Sequence, residues 1–116
     1  MRHQKNKITL DRKTGPRGHL LAGLAESLIL HEKINTTKAK GKAVRSMVER
    51  LITKARDNSV TSRRRLLAVL YTRNAANKLI EVLGPRYAKR NGGYTRTVVV
   101  RNRVGDNAEE VLIELV

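Results

Sequence analysis

The chain has 116 residues, no cysteine, 40% apolar residues and 25 Lys and Arg against 10 Asp and Glu, a formal net charge of +15. That length and apolar content fit one domain with a core that needs no disulfide or metal, and the missing cysteines exclude a thiolate zinc site and a cysteine nucleophile. No stretch approaches the ~18 uninterrupted apolar residues of a membrane span, and apolar clustering begins only at Leu20 after a charged leader, so neither a span nor a secretory signal is expected.

Residues 1–15 (MRHQKNKITLDRKTG) interleave basic and polar side chains with the isolated Ile8 and Leu10, so an extended arm that orders on a polyanion is expected. Pro16 opens a helix in which Leu20, Leu21, Leu24, Leu28 and Ile29 fall at helical spacing as far as His31. Gly18 and Gly23 each cost that helix about 1 kcal/mol against Ala, so packing must hold it. Lys33–Thr37 (KINTT) is predicted as a β-branched strand whose last Thr caps the next helix.

Val44, Met47, Val48, Leu51, Ile52 and Ala55 form the clearest amphipathic pattern and predict a helix over 38–56. Asp57-Asn58-Ser59 breaks the pattern, and residues 63–65, all Arg, followed by Leu66, Leu67, Val69 and Leu70 predict a third helix. Asn74 is placed to cap a fourth, with Leu79, Ile80 and Leu83 inward and a left-handed stop at Gly84-Pro85. After a basic loop, residues 94–101 (YTRTVVVR) and the alternating Val111, Ile113 and Leu115 predict a hairpin around Gly105-Asp106-Asn107. The expected fold is α+β, with about four helices packed on a small three-stranded mixed sheet. The arm would be 1–15 and the single domain 16–116.

The charge is unevenly placed. Residues 59–90 carry eight basic residues and one acid, and 38–58 seven and two, whereas four of the ten acids fall in the last eleven residues. An ordinary soluble domain balances its signs, and this excess calls for a polyanion, nucleic acid first. A membrane surface fits less well, because no Trp or Phe stands beside the basic segments. Three scattered tyrosines do not supply the paired aromatics of a single-strand-reading sheet, which leaves backbone and shape recognition as the main mode. A basic second or third helix would equally suit the major groove of DNA, so charge alone leaves duplex DNA open.

Two local features point to phosphate. Lys38, Lys40, Lys42 and Arg45 crowd the start of the second helix, where the dipole is already positive, and a phosphate would relieve the repulsion. Gly92-Gly93-Tyr94-Thr95-Arg96 combines open backbone N–H groups with a ring that can stack or hydrogen-bond and a guanidinium that can fork to phosphate oxygens. Catalytic and metal motifs fail. His31-Glu32 lacks the second His of a metalloprotease helix, Asn35 standing there, and Gly41-Lys42 lacks the upstream glycine of a phosphate loop, Thr36 standing there.

In order along the chain, Met1-Arg2-His3, the passage 36–44, Val48-Glu49-x-Leu51-Ile52-Thr53-x-Ala55, Leu83-Gly84-Pro85-Arg86-Tyr87-Ala88, Gly92-Gly93-Tyr94-Thr95-Arg96, Gly105-Asp106-Asn107-Ala108 and Ile113-Glu114-Leu115-Val116 resemble bacterial large-subunit ribosomal protein seventeen. The resemblance spans essentially the whole chain. It implies an α+β structural protein without enzymatic activity or cofactor, bound to large-subunit rRNA near the outer end of the peptide exit tunnel. Neighbouring large-subunit proteins, protein thirty-two among them, would be its other partners. By position it implies rRNA contacts at Arg2, His3, Lys5, Lys7, Arg12 and Lys13 in the arm, Arg17 and His19 in the first helix, and Lys38, Lys40, Lys42 and Arg45 in the second. Arg63, Arg64, Arg86, Arg90, Gly92, Gly93, Tyr94 and Arg96 complete the candidate set. A mitochondrial or plastid relative is the alternative, but a start at the family's own Met-Arg-His without a transit peptide favours a bacterial cytoplasm as the expected location.

Overall fold

The computed structural model describes His3 and residues 8–116; Arg2, Lys5 and Lys7 lie outside the described residues. Helix α1 (Thr14–His31) begins two residues ahead of Pro16 and buries Ala22, Ala25, Leu28 and Ile29 along one stripe. It ends at Glu32, whose left-handed backbone (φ 65°) returns its N–H to the Leu28 carbonyl at 2.8 Å. A non-glycine residue there costs about 1–2 kcal/mol. Part of that cost is offset because the same Glu32 side chain meets Lys78 at 3.2 Å and Arg86 at 2.8 Å.

Strand β1 (Lys33–Thr37) follows at once, and helix α2 (Lys38–Ala55) buries Val44, Val48, Leu51, Ile52 and Ala55, the face its periodicity predicts. Thr37 occupies the N-cap position, but its side chain makes no capping bond, contrary to the sequence expectation. Helix α3 (Val60–Val69) starts from a real side-chain cap, with Ser59 accepting from the Ser62 N–H.

Helix α4 (Arg73–Lys78) runs without a break through a π-helical turn, Leu79–Leu83, into a last turn, α5 (Gly84–Arg86). Two expectations are corrected here. Asn74 does not cap α4, because the helix begins one residue before it; instead, Glu26 of α1 accepts from the Tyr71 and Thr72 N–H groups at 2.7 and 3.0 Å. Gly84-Pro85 is no left-handed stop, since Gly84 is right-handed helical (φ −54°) and Pro85 stands in the last turn, directly after the π-helical one. The glycine serves packing: a Cβ there would lie 2.7 Å from the Ala55 carbonyl oxygen at the end of α2.

Strands β2 (Thr95–Asn102) and β3 (Glu109–Leu115) form the expected hairpin. The sheet order is β1-β3-β2, and both pairings are antiparallel. The sheet is therefore not mixed. Inserting the last strand between the other two makes each neighbour antiparallel to it, while β1 and β2, which run the same way, never touch. A bulge at Val100 shifts the β2–β3 register. Val111 and Ile113 of β3 pack under α2, where Gly41 lets the helix approach: a Cβ there would stand 3.0 Å from both side chains.

Tyr87 and Tyr94 join helices to sheet. Their rings lie 5.1 Å apart in the core, and the Tyr87 hydroxyl donates to the Val116 carbonyl at 2.7 Å. Replacing Gly84 by Ala should destabilise the fold by about 1–3 kcal/mol, since backbone rather than a flexible side chain must move. Gly23→Ala, in an open stretch of α1 with nothing near the new methyl, should stabilise by about 0.5–1 kcal/mol. Thermal melts of the two variants should shift in opposite directions; shifts of the same sign would contradict this packing.

Candidate nucleic-acid interface

The start of α2 retains the features that single it out in the sequence. Its first turn has no acid and no side-chain cap, while Lys38, Lys40 and Lys42 stand around it. Lys38 reaches Glu109 of β3 at 3.3 Å, and Arg45 reaches Glu49 at 3.7 Å one turn on. Lys40 and Lys42 make no hydrogen bond or ion pair among the described residues. Lys40 lines a shallow hollow of about 260 Å³ with Asn35, Thr36, Thr37, Arg103 and Glu110. Four orphan backbone N–H groups at a positive dipole end beside uncompensated ammonium groups favour an anion there.

The glycine loop is arranged differently from the sequence expectation. Gly92 and Gly93 are left-handed (φ 87° and 62°), but the turn they make drives Tyr94 inward, where it is 1% exposed. Its hydroxyl donates to the Arg90 carbonyl at 3.1 Å and accepts from Thr53 and Arg56, each at 3.4 Å. The bond from Thr53 above all, then one to the Gly92 backbone and the Arg56 charge, hold its phenol below the usual 10 despite burial. Tyr94 therefore packs the core, and its ring is not open to a base. Arg90 is exposed beside the loop, and Arg56 secures that loop by donating to the Ala88 carbonyl at 2.7 Å and to Asn91 at 3.4 Å.

Several other candidates have partners within the chain. Arg96 pairs across the sheet with Glu114, Arg101 with Glu110 at 3.0 Å, and Arg103 with Asp106 in the hairpin turn. Arg86 is held by Glu32, which lowers the carboxylate's pKa and raises that of the guanidinium. Arg63 turns inward to Asn77 at 2.9 Å, leaving Arg64 and Arg65 exposed, as three consecutive helical residues cannot share a direction. Arg17 is only 8% exposed, because its guanidinium bonds the Arg12 carbonyl at 3.2 Å and Thr14 Oγ1 at 3.5 Å and so ties the turn at 9–12 to α1. His3, Arg12, Lys13 and His19 are exposed.

The family profile described as Ribosomal protein L17 matches residues 20–116, which takes in the whole α2 start, the glycine loop and the hairpin. The chain belongs to the ribosomal protein L17 family. Large ribosomal subunit protein bL17 of Solibacter usitatus is 48% identical to it over 100% of this chain and 77% of that protein. The bL17 of Syntrophotalea carbinolica is 42% identical over 100% of this chain and 75% of its own length, and that of Desulfitobacterium hafniense (strain DCB-2) 46% over 92% and 96%. As an L17 protein the chain is a structural constituent of the large ribosomal subunit, not an enzyme, and works in the translation machinery of the bacterial cytoplasm.

Sequence reasoning missed several residues that shape this L17 surface: Glu26, Glu32, Glu49 and Arg56. Glu49, which accepts from Thr95 at 2.8 Å, and Arg56 reach across from α2 to segments about forty residues away. The only signal for the three acids was their rarity in so basic a chain. Glu26, Glu32 and Glu49 each meet a cation, an N–H or a hydroxyl on another element, but which partner each meets depends on the fold.

Asp106 is the clearest titration marker. Arg103, and then the Ala108 N–H, lower its pKa from 3.8 to about 2. A carboxylate depressed in the folded state stabilises the fold above its unfolded pKa, and that contribution is lost as pH falls through the folded value. The window therefore runs from about pH 4 down to about pH 2. An NMR titration of the Asp106 carboxyl carbon should show its midpoint near 2, and Asp106→Asn should remove that step from the acid-unfolding profile. A midpoint near 3.8 would mean the hairpin pair is not made in solution.

Proposed function

We propose that this L17 protein binds and organises large-subunit rRNA through phosphate and shape contacts, near the outer end of the peptide exit tunnel. Protein thirty-two and other large-subunit proteins would be its neighbours. The observation that carries the RNA reading is the residue of unopposed charge. Among the described residues, seven ion pairs engage Lys38, Arg45, Lys78, Arg86, Arg96, Arg101 and Arg103, whereas Lys13, Lys40, Lys42, Arg64, Arg65, Lys89 and Arg90 have no partner there. Each such cation that neutralises a phosphate releases condensed counterions, and rRNA helices offer phosphates on several sides at once. The candidate contacts already paired with carboxylates would act mainly by holding the surface in shape. The basic segment 1–15, whose last two residues already open α1, would serve as an arm against the RNA, and 16–116 as its anchor.

A groove-reading helix in duplex DNA is less well supported. The cations of α2 gather at its first turns, and Arg63 of α3 faces inward, so neither helix presents a continuous basic reading face. The location and the protein neighbours rest on the family resemblance; cross-linking mass spectrometry of intact large subunits should link this chain to protein thirty-two.

The double variant Lys40→Gln/Lys42→Gln should bind large-subunit rRNA more weakly and lower the slope of log affinity against log salt by about 1–2, as loss of two phosphate contacts requires. Its melting temperature should hold or rise, since two cations leave a positive helix end. An unchanged slope would remove these lysines from the interface, and tighter binding to duplex DNA than to rRNA at matched salt would overturn the RNA reading.

A further inference from the structure

The chain has three tyrosines and no Phe or Trp, and the fold treats them unequally. Tyr87 and Tyr94 are buried with their hydroxyls bonded inside the protein, whereas Tyr71 is 64% exposed between α3 and α4. Its ring stacks on the exposed imidazole of His19 from α1, with centroids 5.2 Å apart and planes 30° from parallel. A tyrosine covered on one face by His19 and still this exposed leaves its other face to solvent. The backbone that carries the ring is also held in place. Glu26 accepts from the Tyr71 N–H at 2.7 Å and the Thr72 N–H at 3.0 Å, and the preceding Leu70 is buried.

We propose that the stacked His19–Tyr71 pair is a platform for one unpaired base of large-subunit rRNA, a proposal that rests on the RNA reading above. The pair offers a π-face on an anchored backbone, and exposed Arg73, two residues along and unpaired among the described residues, would serve the phosphate that accompanies a base. Single-stranded loops and bulges of folded RNA present such splayed bases, and aromatic and imidazole rings receive them. Stacking of this kind tolerates any base, so selectivity comes from where the RNA fold puts an unpaired nucleotide. It adds a point contact to an otherwise phosphate-directed surface.

The test uses the full chain and large-subunit rRNA transcript, comparing Tyr71→Ala, Tyr71→Phe and Lys40→Gln/Lys42→Gln. Tyr71→Ala should weaken binding by about 5- to 100-fold, the range seen for loss of one stacked base, with the salt slope unchanged because no phosphate contact is lost. Tyr71→Phe should bind within about twofold of the parent, as the ring is retained. Both should melt with the parent, since the side chain is exposed. In chemical probing, one unpaired nucleotide protected by the parent and by Tyr71→Phe should become reactive with Tyr71→Ala. Parental affinity and footprint for Tyr71→Ala, while the lysine variant weakens, would overturn the platform and leave the RNA reading standing. A loss with Tyr71→Phe equal to that with Ala would also overturn it. Unchanged binding in all three would remove the RNA reading and the platform with it.

Discussion

Ten carboxylates against 25 cations in one small domain create a self-repulsion that opposes compaction, and the structure depends on where those few acids stand. Most join segments distant in sequence. Glu32 turns α1 into β1 and gathers Lys78 and Arg86; Glu26 satisfies the backbone before α4; Glu49 ties α2 to the first residue of β2; Glu110 and Glu114 bind arginines across the hairpin. Exposed pairs of this sort contribute roughly 0–1 kcal/mol each, so their effect lies in fixing which surfaces meet more than in total stability. With most of the acids committed to these junctions, the remaining cations at the α2 start, on α3 and in the loop before Gly92 have no ion-pair partner among the described residues.

Close backbone approach supplies the packing that the charge resists. Helix α2 is the axis: Gly41 lets Val111 and Ile113 of β3 press against its start, and Gly84 lets the last helical turn press against the Ala55 carbonyl at its end. Between these two contacts lie Val44, Val48, Leu51 and Ile52, all buried. The π-helical turn at Leu79–Leu83 precedes the second contact, and the same segment buries Leu79, Ile80 and Leu83. A core with no Phe or Trp thus closes through small residues at helix crossings and two tyrosines at the sheet.

The hairpin contributes less to this core than its β-branched sequence suggests. Val98, Val99 and Val100 are all exposed, Val99 to 62%, on an edge strand. The Val100 bulge and the flanking Arg96, Arg101 and Arg103 are the kinds of device that keep an edge from pairing with another chain. Because each of those arginines has its own carboxylate, the hairpin is nearly neutral, and the basic surface belongs to the helical side and the loops.

Periodicity alone determined the elements: the stripe of α2, the KINTT strand and the terminal hairpin follow from 3.6- and 2-residue repeats, which are local properties. Net charge called for a polyanion as partner, and the ordered motifs from Met1 to Val116 pointed to the family. Tertiary structure decided everything that needed two distant segments to meet. Tyr94 looked like a surface ring because Gly-Gly-Tyr is legible as a turn, yet whether a ring after a turn faces solvent or core depends on what packs behind it, here Tyr87 and Thr53. Gly84-Pro85 reads as a stop, but the crossing with α2 required a glycine inside a continuing helix. Arg96 and Arg17 looked available until Glu114 and the Arg12 carbonyl were placed beside them, and Tyr71 looked isolated until α1 brought His19 onto its face. A side chain's chemical type is written in the sequence, but its availability is a property of its neighbours, and in this chain those neighbours lie from five to 52 residues away.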